Sequence, residues 1–187
     1  MVNKETLSES SGKPFGPGLV EVFTGDGKGK TTAALGIVLR AIAHGLKVYL
    51  VYFMKGGYPY GEQKILSQLP DVDFSVFGHE WLADPDNIKP EEREEARRAL
   101  AKAREVIASG NYDVVILDEI NVAAAWKLIE VGEVLEIIRS KPRDIELILT
   151  GRYADQSVMD AADLVTEMRK IKHPYDRGIR ARKGIDC

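Results

Sequence analysis

At 187 residues, with 44% hydrophobic and 29% charged residues and a formal net charge of -3, the chain fits one soluble globular domain with a substantial core. The mild acidity gives no global reason to expect nucleic acid or an anionic membrane as partner. Cys187 is the only cysteine, no apolar run reaches the about 18 residues of a membrane span, and Met1 to Gly18 lacks the apolar core of a signal peptide, so a cytoplasmic protein without disulfides or cysteine-rich zinc sites is expected.

Residues 1–18, polar and carrying Gly12, Pro14, Gly16, Pro17 and Gly18, read as a flexible arm, and 19–187 as a single domain. Leu19–Thr24 is the first predicted strand, and a helix is predicted from Lys30 to about Gly45. Between them Gly25-Asp26-Gly27-Lys28-Gly29 forms a glycine-rich turn that points backbone N–H groups and a helix N-terminus at one spot, as a polyphosphate requires. Gly25 to Thr32 are the candidate nucleotide-binding residues: Gly25, Asp26, Gly27, Lys28, Gly29, Lys30, Thr31 and Thr32. Lys30 would neutralise phosphate oxygens and the Thr31 hydroxyl would sit on Mg²⁺. Against the pattern G-x-x-x-x-G-K-[ST], the first glycine is displaced. Thr24 holds its place, the loop's first glycine is Gly25, and Lys28 is an additional lysine.

Further along, Lys47–Phe53 and Asp73–Phe77 read as strands. Gly78–Lys89 has no clean period and lies at a strand's carboxyl end, where ligands bind in open α/β sheets. A helix is predicted from Pro90 to just before Gly110, with Ala96, Ala99, Leu100, Ala103 and Ile107 on its apolar side and Glu94–Arg98 as an i,i+4 pair. The run Asp113–Leu117 is an apolar strand followed by Asp118 and Glu119, the look of a Walker B element. Alternation along an extended chain keeps the two carboxylates from facing a metal together, so one is a ligand, direct or through water, and the other orients it. The competing reading is an acidic N-cap for a helix starting near Ile120. Glu146–Thr150 and Leu164–Met168 complete the strands. Strands alternating with helices imply an α/β fold, a doubly wound parallel sheet of about six strands with helices on both faces.

Thr24–Ala34, Phe53-Met54-Lys55-Gly56, Leu117-Asp118-Glu119-Ile120, Leu149-Thr150-Gly151-Arg152 and Lys172–Gly178 with Arg182–Asp186, in this order, closely resemble the P-loop class of ATP:corrinoid (cobalamin) adenosyltransferases, from about Gly18 onward. The resemblance implies transfer of the 5′-deoxyadenosyl group of ATP to Co(I) of a reduced corrinoid, with release of triphosphate. It also implies a P-loop α/β domain, a homodimer, a Mg²⁺ requirement and a reduced flavoprotein as electron donor. Residue by residue, Thr31 and Glu119 match metal-binding positions with Asp118 beside them, and Arg152 matches the family arginine after the fifth strand. Lys28, Lys30 and Arg152 are then the catalytic candidates, stabilising the triphosphate leaving group. Co(I) needs no protein nucleophile or base, so positioning and leaving-group electrostatics suffice. The family places an aromatic-x-Trp pair against the lower face of the corrin. Here it reads His79-Glu80-Trp81, so Trp81 and His79 are the corrinoid-binding candidates, the histidine either packing as a flat ring or ligating cobalt.

Elsewhere His44 reads as structural or solvated, Trp126 and Tyr112 as core. The basic stretch Arg169 to Lys183, with His173 inside the matched carboxyl-terminal block, reads by itself as a solvated tail or a nucleic-acid patch, and the family resemblance implies instead a segment covering the site. Two other functions compete. A P-loop ATPase or kinase acting at the γ-phosphate is disfavoured by the displaced glycine and Lys28, and a nucleic-acid-associated module by the net charge of -3.

Overall fold

The β-branched runs pair side by side into one six-stranded sheet, in the order β3-β2-β4-β5-β1-β6, in a computed structural model that describes residues 15–57, 60–79 and 84–186. Its strands are β1 (Val20–Thr24), β2 (Val48–Tyr52), β3 (Val72–Val76), β4 (Val114–Asp118), β5 (Glu146–Thr150) and β6 (Leu164–Glu167). Every pairing is parallel, with Val20 opposite Leu147, Val114 opposite Glu146 and Val48 opposite both Val72 and Val114. β5 thus separates the strand that leads into the glycine-rich turn from the strand that ends in acid.

Period-two alternation sends successive side chains to opposite faces. Val20 and Val22, Tyr49 and Val51, Val115 and Leu117, and Leu147 and Leu149 fill one core, under α3 (Pro90–Ser109), α4 (Ile120–Ala125) and α5 (Val131–Ser140). Phe23, Leu50, Tyr52, Ile116 and Ile148 fill the other, under α1 (Lys30–Ile42) and α2 (Gly61–Leu66). The short α6 (Gln156–Asp160) precedes β6. All four residues of β6 are exposed, so the cover expected on both faces holds over the central strands and gives out at this edge. Gly18, the last residue of the expected arm, is fixed: its N–H donates to Arg143 O at 2.8 Å.

The helix read from Pro90 forms over Pro90–Ser109, with proline in its first turn and Gly110 closing it in the left-handed conformation at φ 67. Its apolar positions are buried, with Val106 added to those read from the sequence. Arg98 pairs with Glu95 rather than Glu94, an i,i+3 contact in place of the i,i+4 one. The helix read from Lys30 stops at Ile42, three residues short of Gly45, where the chain turns at φ 71.

Candidate active site

The glycine-rich loop, the acidic pair Asp118–Glu119 and Arg152 lie at the carboxyl ends of β1, β4 and β5. Thr24, which holds the place of the missing first glycine, is buried and its hydroxyl accepts a hydrogen bond from Ala154 N at 3.2 Å. A glycine could not tie the loop to the segment after β5. Gly25 and Gly29 adopt φ of +95 and +127, conformations costly for any other residue. Gly27 is required for a second reason: its N–H donates to Met168 O at 2.6 Å, and a Cβ there would lie 2.7 Å from that oxygen. The chain just beyond β6 therefore braces the loop.

Lys30 is buried and its Nζ donates to Gly25 O at 2.7 Å and Gly27 O at 2.8 Å, so the lysine reaches back across the loop and shapes it. Burial pulls its pKa down, against the pull of Glu119. Lys28 turns toward the carboxyl-terminal segment, donating to Ile185 O at 2.8 Å and pairing with Asp186 at 3.2 Å. Asp26 and Thr32 are exposed.

Asp118, 1% exposed, is fully engaged. Its Oδ1 accepts from the hydroxyls of Thr31 at 3.0 Å and Thr150 at 2.6 Å, and its Oδ2 meets Lys55 Nζ at 2.5 Å. Thr150 Oγ1 in turn accepts from Glu119 N at 3.1 Å. Glu119 leaves the strand in the left-handed conformation at φ 65, which breaks the alternation that would have turned it away from Asp118. It occupies the N-cap position of α4 without a side-chain cap, so neither carboxylate serves the capping role. Instead Glu119 lines, with Lys30, Thr31, Arg152 and His173, a cavity of about 340 Å³ against the phosphate loop. Burial and the Asp118 charge raise the Glu119 pKa, opposed by Lys55, Lys30 and Arg152. Hydroxyl and carboxylate oxygens suit a hard divalent cation that takes its remaining ligands from phosphate and water. The donor set therefore fits Mg²⁺, with Thr31 and Glu119 open to the cavity and Asp118 behind them.

Arg152 is exposed at the end of β5 and faces the same cavity. Its far wall is the carboxyl-terminal segment, including Tyr175, Arg180 and Arg182, as a covering segment requires. His173 Nδ1 accepts from Tyr175 N at 3.2 Å, shaping the short turn at Pro174–Arg177. His79 is half-buried in a separate cleft of about 20 Å³ beside the start of α3, lined by Met54, Glu92 and Glu95, and that cleft shares no residue with the cavity at the loop. Trp81 and Cys187 lie outside the described residues. Tyr112 and Trp126 pack against the core and His44 is exposed, as read.

Lys55 and Thr150 belong to this network although neither has a recognisable role in the sequence. Burial opposes the Lys55 charge, but the charge and hydrogen bond of Asp118 outweigh it and hold the ammonium above its usual pKa. The legible signal was a lysine placed just past the carboxyl end of an apolar strand, followed by a glycine. A Cβ at Gly56 would lie 2.0 Å from Gly78 O.

No described helix is long and apolar enough to cross a membrane. Among solved structures, the cytoplasmic domain of EssC is similar over 90% of this chain and 34% of its own, at TM-score 0.52 and 16% identity, which shows the fold alone. Corrinoid adenosyltransferase of Escherichia coli K12 is 37% identical over 169 residues, 90% of this chain and 85% of its own. Corrinoid adenosyltransferase CobA of Salmonella typhimurium is 36% identical over 174 residues, again 90% and 85%. Corrinoid adenosyltransferase of Sinorhizobium sp is 38% identical over 172 residues, 90% of this chain and 80% of its own. Residues 17–187 match the model of the ATP:corrinoid adenosyltransferase family BtuR/CobO/CobP, and the chain belongs to that family.

Proposed function

We propose that this chain transfers the 5′-deoxyadenosyl group of ATP to Co(I) of a reduced corrinoid and releases triphosphate, within cobalamin biosynthesis. The observation that carries the reading is the family match over residues 17–187 in a chain whose phosphate loop opens onto the cavity of Glu119 and Arg152. A γ-phosphate reaction is not favoured by those relatives.

The bond broken, C5′–O, lies at the adenosyl end of the triphosphate, so the protein must hold the whole chain as a leaving group. The α1 N-terminus and the loop N–H groups supply fixed dipoles, and Lys30 and Arg152 supply charge. Mg²⁺, when bound at Thr31 and Glu119, supplies further positive charge to the phosphate oxygens. Lys28 reaches the same phosphates on release from Asp186. Asp118 positions Thr31 through its hydroxyl, and the covering segment excludes water. The corrin, with cobalt as the reacting atom, belongs to the substrate. Trp81 and His79 are proposed to line its lower face. Family resemblance supports a homodimer and a reduced flavoprotein donor, and the need for ATP supports a cytoplasmic location.

Anaerobic incubation with ATP, Mg²⁺ and chemically reduced cobalamin tests the reading. The corrinoid spectrum should convert to that of adenosylcobalamin; a spectrum unchanged at stoichiometric enzyme would refute it.

A further inference from the structure

Lys55 has no part in the reaction above, yet its ammonium lies against two oxygens assigned to the metal site. Nζ is 2.5 Å from Asp118 Oδ2 and 3.4 Å from Thr31 Oγ1. The rings of Tyr52 and Tyr60 flank it, with centroids 5.2 and 4.9 Å away. Its carrier is rigid: Lys55 N donates to Phe77 O at 2.8 Å, clipping the end of β2 to the end of β3. The side chain is buried, so water screens it little.

A divalent cation at Thr31 Oγ1, held directly or through water by Asp118, would meet this ammonium at close range. Asp118 Oδ1 is already shared by the Thr31 and Thr150 hydroxyls, which leaves Oδ2 as the oxygen that both cations seek. Two like charges in one low-dielectric corner repel strongly. Lys55 and Lys28 also line, with Thr31 and Thr32, a second cavity of about 280 Å³ beside the loop, where a phosphate chain could receive the displaced ammonium.

We propose that Lys55 is a tethered cation that competes with the divalent metal for the Thr31–Asp118 position and yields it when a polyphosphate arrives. This rests on the metal–nucleotide reading given above. It makes Lys55 a positioning residue that couples two ligands: polyphosphate strengthens metal binding and metal strengthens polyphosphate binding by the same factor. Metal then enters with its nucleotide rather than ahead of it.

The test measures protein-bound Mn²⁺ by equilibrium dialysis, in which the free ion and its triphosphate complex equalise on both sides of the membrane, for wild type, Lys55→Met and Lys55→Gln, with and without inorganic triphosphate. Wild type should bind Mn²⁺ at least about ten-fold more tightly when triphosphate is present. Without triphosphate, Lys55→Met should bind Mn²⁺ about ten-fold more tightly than wild type, and Mn²⁺ should raise its melting temperature, because the ion replaces the lost partner of buried Asp118. Lys55→Gln keeps a donor toward Asp118 and should show the same gain if Lys55→Met fails to fold. A merely structural lysine would leave Mn²⁺ affinity unchanged or weakened on substitution. Affinity no better than wild type in the folded variants overturns the proposal. So does a wild type that binds Mn²⁺ equally with and without triphosphate, a result independent of either variant. Wild type that binds no Mn²⁺ even with triphosphate would refute the metal–nucleotide reading itself, and this inference with it.

Discussion

Asp118 and Glu119 are adjacent carboxylates with different work, and substitutions should separate them. Asp118→Asn strips the charge partner from buried Lys55 and should destabilise the fold by about 3–5 kcal/mol, the cost typical of breaking a buried pair. Glu119→Gln should leave the denaturation midpoint nearly unchanged, bind ATP and transfer adenosyl poorly, with partial relief at high Mg²⁺. Chemical denaturation and turnover measured on both variants check this; a crippled Asp118→Asn of normal stability beside an active Glu119→Gln would exchange their roles. Lys30→Ala should weaken ATP binding by roughly ten- to a hundredfold, the worth of about 1.5–3 kcal/mol for a charge-assisted contact, as read by calorimetric titration. Because Lys30 also ties down Gly25 O and Gly27 O, some of that loss is loop shape rather than charge. The glycine-rich turn between β1 and α1 was legible because its glycines and the patterns on either side fix its place and shape. Lys55 and Thr150 were not, since their roles come from distant strands meeting Asp118, separations of 63 and 32 residues that no local pattern displays.

Near the amino ends of β1 and β5, away from the site, the side chains of Glu21 and Glu146 are hydrogen-bonded to each other. Burial, with the hydrogen bond and charge of Glu146, pushes Glu21 from the usual 4.5 up to about 7. Below the unfolded value both states hold the proton, and above the folded value neither does. Between them the native state binds more protons, so stability falls as pH rises from 4.5 to about 7 and then levels. Denaturant midpoints across that window should slope downward in wild type and flatten in Glu21→Gln; parallel slopes would contradict the shared proton. At the other end of β1, Gly27→Ala would press a methyl group onto Met168 O and lift the chain after β6 off the loop, so ATP affinity and melting temperature should fall together. Element type and order were legible in the alternation of β-branched runs with helical periods, and ends shifted by a residue or a few where caps and turns decide them. The exposure of β6 was not: its apolar residues Leu164 and Val165 read like those of any inner strand.

For the molecule as a whole, the carboxyl-terminal segment closes the site through weak, exposed contacts. Lys28–Asp186 joins it to the phosphate loop, and Arg182–Asp186 and Lys170–Asp176 hold its own folds, pairs that salt screens readily. The sequence marked this segment by its clustered basic residues, but which of them face the cavity depends on turns at Gly178 and Gly184 that pattern alone does not resolve. The enclosed triphosphate should leave intact, and the identity of the phosphate product shows whether it does. Phosphorus NMR of the anaerobic reaction with ATP, Mg²⁺ and reduced corrinoid should show inorganic triphosphate rising in step with adenosylcorrinoid, and little product when the corrinoid is left out. ADP and orthophosphate formed at the same rate with or without the corrinoid would instead mark cleavage at the γ-phosphate and rule out adenosyl transfer.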